Sequence, residues 1–319
     1  MRNNNSWILG CILANFPHWK PKAVEDALRG VLKEAISKDI EKADQEGKER
    51  PPPRTQAGLI ISVFRPSSKW KAGVPVADWV YYSGIPVILL QLGISVIPGV
   101  ILGEWNLLLI TSAGVLLALA TAALPRWRIE KWDCRRAEKT IILTVGNGAQ
   151  HALVIRGDED FLDLEALAAA HPTWSRFDLF YMTMLALLWI VHLIIVLGIK
   201  AQTPWFLTAV RGIGMLHNIV VAVLPRRPEA LGLPLEFEKC IAKRKTMEAL
   251  QEVEEKYPGV GLAMIGTFFP GRLWREEKEW WDGKAADLKV RLTAARATED
   301  AGLPAATPGV SERAIMWGS

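Results

Sequence analysis

Cysteine is scarce in this chain, and the three that occur, Cys11, Cys134 and Cys240, lie far apart along the sequence. A disulfide framework or a structural zinc site needs paired cysteines at short spacing, so neither is predicted. An excess of one charge sign is also missing, because 38 Lys and Arg against 34 Asp and Glu leave a formal net charge of +4. No run of basic residues alternates with aromatic ones, so the sequence does not indicate a nucleic-acid-binding protein.

Long stretches without charge are the most informative absence. Four stretches contain at most one charged residue, namely 79–103, 105–125, 179–199 and 201–225, the last with Arg211. Each offers roughly 20 residues or more, the length that an α-helix needs to cross the hydrocarbon of a bilayer. We therefore predict four transmembrane helices, at residues 79–102, 106–125, 179–199 and 205–224.

Tryptophan and basic residues predict the limits and the orientation of these helices. Five tryptophans fall at or just beyond the helix ends, where an indole ring can lie among lipid headgroups: Trp79, Trp105, Trp127, Trp174 and Trp205. Of the 38 Lys and Arg, thirteen precede the first helix, eight lie between the hairpins and fifteen follow the last helix. The hairpin tips carry only Lys200. The positive-inside rule therefore predicts that both termini and the central loop are cytosolic.

Residues 78–126 and 178–226 resemble each other at a constant offset of one hundred positions. The matched pairs are Asp78 with Asp178, Tyr81 with Tyr181, Trp105 with Trp205, Gly114 with Gly214, and Pro125-Arg126 with Pro225-Arg226. We interpret this as a duplicated membrane hairpin whose copies enter and leave on the same side, which makes the repeats parallel. Small residues in the second and fourth helices predict that these two helices pack together. A further alignment of residues 130–140 with 236–246 predicts that both copies leave the membrane through a basic helix.

The predicted fold is mainly α, a four-span transmembrane bundle of two parallel duplicated hairpins with a small cytosolic α+β layer. We divide the chain into residues 1–56, with an amphipathic helix at 21–43 and a Pro-rich linker; 57–125, the first hairpin with a preceding apolar segment; 126–177, a helix, a β-hairpin turning at 146–148 and a short helix; 178–225, the second hairpin; 226–297, charged helices with an apolar insert; and 298–319, a disordered tail. Residues 57–64 fit either a buried strand or a membrane-surface segment. Residues 260–269 are too few to cross, and fit a re-entrant, interfacial or packed segment.

Polar residues at one depth of the predicted bundle are the candidates for function. His192 precedes the second tip by about ten residues and Arg211 follows it by about nine, which places both roughly 14 Å deep at 1.5 Å per residue. Ionisable residues in hydrocarbon are costly and usually face the bundle interior or a wet cavity. We take His192 and Arg211 as candidate catalytic residues. The candidate substrate-binding residues are Gln91 and Thr111 at the matching depth of the first hairpin, and His217 and Asn218 in the fourth helix.

The alternative is a purely structural role for these side chains. Arg211 can extend its charged end toward the interface, and His192, His217 and Asn218 can hydrogen-bond neighbouring helices. No carboxylate lies in mid-span, which argues against a proton relay and against metal-dependent prenyl transfer. The Gly-rich segment at 146–148 lacks the third glycine of a dinucleotide fingerprint and leads into a strand, so neither a cofactor nor a metal ion is predicted.

Four motifs resemble those of a group of multi-pass membrane proteins of filamentous ascomycete fungi. They are residues 78–84 (Asp-Trp-Val-Tyr-Tyr-Ser-Gly), residues 124–136, residues 146–151 (Gly-Asn-Gly-Ala-Gln-His) and the Pro-Arg pair at 225–226. The resemblance covers about residues 57–281. It implies a fungal integral membrane protein and carries over no catalytic or binding residue.

Two functional hypotheses remain open at this point. The first is a non-enzymatic membrane component, either a scaffold that docks a cytosolic protein partner or a small-molecule permease that works as a homo-oligomer. Self-association is needed for the permease because four helices leave little room for a path within one protomer. The second is a membrane-embedded enzyme that uses His192 and Arg211 on a lipophilic metabolite. The expected partners are the lipid bilayer, a lipophilic small molecule and a second copy or cytosolic protein, without nucleic acid.

Overall fold

The structure is a computed structural model that describes residues 5–49, 52, 55–169, 175–198, 204–300 and 315–317. Its helices are α1 (Trp7–Trp19), α2 (Lys22–Glu46), α3 (Trp79–Tyr82), α4 (Gly84–Leu102), α5 (Asn106–Ala122), α6 (Pro125–Trp132), α7 (Leu164–Ala169), α8 (Arg176–Gly198), α9 (Pro204–Val223), α10 (Thr246–Lys256), α11 (Val260–Phe268) and α12 (Arg275–Asp300). Its strands are β1 (Leu59–Pro66), β2 (Thr140–Thr144), β3 (His151–Arg156), β4 (Leu235–Lys243) and β5 (Ile315–Trp317).

The chain forms two compact units that alternate along the sequence. The sheet unit contains three stretches, Met1–Pro75, Cys134–Ala170 and Arg227–Ser319. The helical unit contains the two stretches between them, Val76–Asp133 and His171–Arg226. In the sequence, each stretch of the helical unit is therefore an insertion between two stretches of the sheet unit.

The sheet has the strand order β4-β1-β3-β2-β5. β1 and β3 are parallel neighbours, β4 is antiparallel to β1, and β2 is antiparallel to β3. The predicted β-hairpin of β2 and β3 is confirmed. Because β1 and β3 run in one direction and β2 and β4 in the other, the four strand ends that continue into the helical unit all lie at the same end of the sheet. We call this the connecting end.

Helices cover both faces of the sheet, which is why its central strands are almost continuously apolar. On one face, Leu59 and Ile61 of β1 pack with α10, α11 and Trp281 of α12. On the opposite face, the Phe64 ring lies 6.3 Å from the Phe16 ring of α1, edge to face. The apolar segment that precedes the first membrane hairpin is therefore a buried strand.

The two N-terminal helices belong to this sheet unit. The predicted amphipathic helix is confirmed as α2, which buries Val24, Val31 and Ala35. α1 starts at a Ser6 side chain that accepts a hydrogen bond from the Leu9 N–H. Its buried residues, Ile8, Leu9, Ile12 and Phe16, pack toward the sheet, so α1 is a core helix.

Two predictions for the segments beside the sheet are wrong. α6 ends at Trp132, so residues 133–139 are not helical. Residues 235–243 form strand β4 where charged helix was expected, so the alignment of 130–140 with 236–246 pairs a helix end with a strand. β4 lies at the edge of the four longer strands, and its exposed positions carry charge. The sequence pattern therefore resembles a charged helix and does not indicate a strand.

The apolar segment near residue 260 and the tail also differ from expectation. Residues 260–268 form α11, which packs against the sheet through Val260 and Met264. Of the three interpretations left open by the sequence, the structure has the segment packed on the sheet. Helix α12 continues to Asp300, and residues 315–317 pair with β2 as β5, so these parts of the tail are ordered. The rest of the expected tail, 301–314 and 318–319, lies outside the described residues.

Asp163 holds the turn before α7. Its carboxylate is fully buried and accepts hydrogen bonds from Arg135 and Lys139, each at 2.8 Å, and from the Ala166 N–H at 3.0 Å. Burial raises the pKa of Asp163, but these hydrogen bonds together outweigh it, so the pKa lies below its ordinary value of 3.8. The ion-paired carboxylate therefore contributes stability above pH 3.8, and that contribution is lost as the pH falls through the depressed pKa.

We expect Asp163→Asn to destabilise the protein by about 2 kcal/mol at pH 7, since an amide keeps the helix cap but removes the buried negative charge that Arg135 and Lys139 share, and Lys139 then keeps only Glu165. Thermal unfolding of the detergent-solubilised protein at several pH values measures this. The difference from wild type should shrink below pH 3.8. Glu138→Gln, an exposed neighbour, is the matched control and should change little. A pH-independent loss would contradict the assigned role of the charge.

The helical unit contains the four predicted spans. They are helices long and apolar enough to cross a membrane, at Trp79–Leu102, Asn106–Trp132, Arg176–Gly198 and Pro204–Val223. Large apolar side chains cover their outer surface, such as Leu109, Leu197 and Val223, each at least two-thirds exposed. Such a surface is stable in lipid and not in water. Trp79, Trp105 and Trp205 are exposed at helix ends, as predicted. Trp174 lies outside the described residues.

The helices of this unit pack in an order that the sequence did not predict. α4 packs against α5 and α9, and α5 packs against α8. The expected packing of the second span against the fourth is wrong, because α5 and α9 share no comparable interface among the described residues. The first helix of each hairpin instead contacts the second helix of the other.

Candidate functional site

The helical unit contains a cavity of about 570 Å³, lined by residues of α4, α5, α8 and α9. Its polar lining side chains are Gln91, Thr111, His192 and Arg211, and Trp189 contributes an indole ring. The other lining residues are aliphatic, or glycine. Four of the six predicted site residues thus line one cavity, which we call the membrane cavity.

Gln91 crosses from α4 to α9 at the edge of this cavity. Its side-chain amide donates a hydrogen bond to the Val210 carbonyl at 2.9 Å. A Cβ atom at Gly214 would lie 2.8 Å from the Gln91 Nε2, so a larger residue would require the end of the Gln91 side chain to move. The glycine that the repeat places in the fourth helix therefore lies beside a polar contact between helices.

His192 makes the corresponding approach from α8 to α5. Its Nε2 lies 3.2 Å from the position that a Cβ of Gly114 would occupy. The Trp189 ring packs edge to face against it at 5.8 Å, and the Trp189 indole N–H donates to the Thr121 hydroxyl at 3.3 Å. Within the described ranges, neither ring nitrogen of His192 has a hydrogen-bond partner. The imidazole is held in place and remains available to a ligand.

Two further polar groups of the cavity are also unsatisfied. The Thr111 side chain is 8% exposed, and its hydroxyl has no hydrogen-bond partner among the residues that the structure describes. Arg211 forms no ion pair with a described residue, and no carboxylate lines the cavity. Thr111 is thus a buried polar group without a protein partner, which is uncommon in proteins, whereas Arg211 is exposed.

His217 and Asn218 do not line the cavity. His217 Nε2 lies 2.9 Å from the Ser83 Oγ, so it joins α9 to the start of the first span. Asn218 is exposed on the same helix. The His217 contact fits the structural alternative, in which polar side chains hold helices together.

Two ion pairs at the ends of the helices were not predicted. Arg226 donates to both oxygens of Asp78, at 3.0 and 2.8 Å. The nearly fully buried Arg126 lies 3.7 Å from Asp178. The start of each hairpin is therefore paired with the end of the other. The repeat offset already contained this signal, since these four residues are its matched Asp and Arg positions.

The Asp78 carboxylate also accepts a hydrogen bond from the Tyr81 N–H at 2.8 Å and so caps α3. Burial raises the pKa of Asp78, but the hydrogen bonds from Arg226 and Tyr81 outweigh that effect and hold the pKa below its ordinary value. The group is therefore ionised at neutral pH.

Among the described residues, no group of three or more His, Cys, Asp or Glu side chains could hold a metal ion. No known protein family, curated protein or solved structure matches this chain. The function is therefore argued from the geometry of the cavity alone.

Proposed function

We propose that this chain is an integral membrane protein whose membrane cavity binds a lipophilic small molecule with an acidic or strongly accepting oxygen group, as the binding component of a small-molecule permease. The observation that carries the proposal is that Thr111, His192 and Arg211 line one apolar cavity without partners in the described part of the chain. An apolar cavity with a few convergent polar groups is the usual form of a small-molecule site.

The chemistry of these groups indicates the class of ligand. Arg211 carries a permanent positive charge, and a hydroxyl and an imidazole can each donate one hydrogen bond. A carboxylate, phosphate ester or enolate oxygen would accept all three and neutralise the charge, which in hydrocarbon costs several kcal/mol when unpaired. The aliphatic walls would then receive the hydrocarbon part of the ligand.

Binding is favoured over catalysis because the lining offers no carboxylate or thiol beside the imidazole. A nucleophile or general acid–base pair needs a second group within hydrogen-bond reach. An enzyme acting on a lipophilic metabolite remains the second hypothesis, with His192 as the base.

The test uses the purified full chain in lipid nanodiscs, with dodecanoate as the anionic probe and its methyl ester as the neutral one. We expect saturable binding of dodecanoate, with about tenfold weaker binding of the ester, since one lost charge-assisted hydrogen bond is worth about 1.4 kcal/mol. Arg211→Leu should remove this preference, and His192→Leu should weaken binding of both probes.

Asn218→Leu is the matched control, because it removes a polar side chain from the same helix outside the cavity. It should leave the affinity for dodecanoate unchanged. Equal binding of acid and ester, or equal losses of affinity in Arg211→Leu and Asn218→Leu, would contradict the proposal. The polar side chains of the membrane cavity would then have a structural role only. A changed metabolite profile in cells expressing normal amounts of His192→Leu would instead favour the enzyme.

We further propose that the two hairpins are duplicated copies related by an approximate two-fold axis along the membrane normal, with both termini cytosolic. Three reciprocal features support this: the exchanged ion pairs of Asp78 with Arg226 and Asp178 with Arg126, the exchanged helix contacts of α4 with α9 and α8 with α5, and the polar approaches to Gly214 and Gly114. The excess of Lys and Arg outside the hairpin tips supports the orientation.

Self-association, a cytosolic protein partner and a fungal origin are also proposals. A permease built from four spans per protomer needs a second copy to complete a path. The motif resemblance to fungal multi-pass membrane proteins is what supports the origin.

A further inference from the structure

A second cavity, also of about 570 Å³, lies within the sheet unit at the connecting end. Its walls come from the segments that follow β1 and β3 and from those that precede β2 and β4. The charged lining residues are Lys71, Arg136, Asp158 and Asp160, and the aromatic ones are Trp70 and the buried Phe161. We call this cavity the end cleft. The carboxyl ends of neighbouring parallel strands are a common place for a ligand site in α/β folds.

Main-chain hydrogen bonds hold the walls of the end cleft. The Ser67 N–H donates to the Pro234 carbonyl at 3.0 Å, and the Gly73 N–H donates to the Gly232 carbonyl at 2.8 Å, which ties the segment after β1 to the one before β4. The Phe161 N–H donates to the Asp158 carbonyl at 3.0 Å and closes the turn after β3. The cleft is therefore formed by anchored loops.

The charges of the end cleft balance without pairing. Lys71 and Arg136 supply two positive charges, and Asp158 and Asp160 supply two negative ones. Within the described residues, no ion pair joins these two sets, and Arg136 instead donates to the main-chain carbonyl of Asp160. A ligand of one charge sign would meet repulsion from half of the set, whereas a zwitterion would meet a complement for each of its charges.

Trp70 adds a preference for the cationic half of such a ligand. Its side chain is 52% exposed and lines the cleft together with the four charged residues. The face of an indole attracts ammonium groups and binds quaternary ammonium especially well. Asp158 lines the same cleft and supplies a negative charge for such an ammonium group.

We propose that the end cleft binds a zwitterion in which a phosphodiester and an ammonium group are joined by a short linker, with Lys71 and Arg136 holding the phosphate and Trp70 and Asp158 holding the ammonium. The headgroup of phosphatidylcholine and free glycerophosphocholine both carry this chemistry.

The test is calorimetric titration of the full chain in a maltoside detergent with three soluble probes, glycerophosphocholine, choline and glycerol phosphate. We expect glycerophosphocholine to bind and each half-ligand to bind at least about tenfold more weakly, because choline lacks the phosphate group and glycerol phosphate lacks the ammonium group. Lys71→Gln and Asp158→Asn should each weaken binding of glycerophosphocholine about tenfold.

The matched controls are Lys69→Gln and Glu159→Gln, which remove the same charges from exposed neighbours that do not line the cleft. They should change the affinity by less than about twofold. Absence of glycerophosphocholine binding, half-ligands that bind as tightly as the whole, or equal effects of target and control variants would overturn the proposal. Arg211→Leu should leave the affinity for glycerophosphocholine unchanged. Failure of the end-cleft proposal can therefore be distinguished from failure of the proposal for the membrane cavity.

A second measurement identifies the source of the zwitterion. Native mass spectrometry of protein released from mixed phosphatidylcholine and phosphatidylglycerol nanodiscs reports which lipid is retained. Preferential retention of phosphatidylcholine that is lost in Lys71→Gln assigns the cleft to a bilayer lipid. Binding of glycerophosphocholine without such retention assigns it to the free zwitterion.

Discussion

Gly58→Ala is expected to destabilise the sheet unit by about 3 kcal/mol or more, enough to unfold much of it. Gly58 has a φ of +69°, in the left-handed region, and its Cβ would lie 1.9 Å from the carbonyl oxygen of Lys243. Leu59 and Lys243 are paired at the start of the β1–β4 ladder, so the clash cannot be relieved without separating these strands. Because β1 also pairs with β3, the damage reaches the centre of the sheet.

Thermal unfolding followed by far-ultraviolet circular dichroism measures the effect. Gly30→Ala is the matched control, since nothing lies within 4 Å of its Cβ position in the exposed surface of α2. In a helix interior this change should stabilise by about 0.5–1 kcal/mol. If both variants unfold at the temperature of the wild type, the close approach of β1 and β4 described above is incorrect.

Arg226→Asp should destabilise the helical unit by about 2 kcal/mol, and Asp78→Arg should do at least as much, since each leaves like charges together at a partly buried position. The double variant with both changes restores opposite charges and should recover much of the loss. Recovery will be incomplete, because an Arg at position 78 cannot accept the Tyr81 N–H that Asp78 caps. Unfolding temperatures of the four proteins in one detergent give the coupling energy.

Asp133→Arg serves as the control for charge reversal, since Asp133 is exposed at the end of α6 and forms no ion pair with a described residue. Asp178→Arg with Arg126→Asp repeats the experiment at the other ion pair, where the 3.7 Å separation predicts weaker coupling. Coupling in both exchanged pairs supports the duplicated arrangement of the hairpins. Additive losses in both double variants would remove that support.

The four membrane helices could be predicted because hydrocarbon excludes charge, and the absence of charge is visible in the sequence without knowledge of any contact. The depth of His192 and Arg211 could be predicted for a similar reason. Depth along a helix follows from a fixed rise per residue, so counting from the tip placed these two beside Gln91 and Thr111.

Rotation about the helix axis could not be predicted in the same way. Whether a side chain faces a cavity or lipid depends on which helix packs beside it, and the expected pairing of the second and fourth spans was wrong. His217 and Asn218 were therefore assigned to the site, although one bonds Ser83 and the other is exposed. The reciprocal ion pairs could not be predicted because a repeat of two hairpin copies does not say which charged ends of the copies meet.

The amino-acid order alone was sufficient to predict the features that depend on local spacing. These are the number and length of the apolar helices, the β2–β3 hairpin, α2 and the shared depth of Gln91, Thr111, His192 and Arg211. Three-dimensional packing was needed for the sheet that joins β1, β3 and β4 from distant stretches, for the exchanged contacts of the hairpins and for both cavities. The physical reason is that transfer into lipid and helical periodicity act on neighbouring residues, whereas strand pairing and helix packing join residues far apart in the chain, and many alternative partners satisfy the same local pattern.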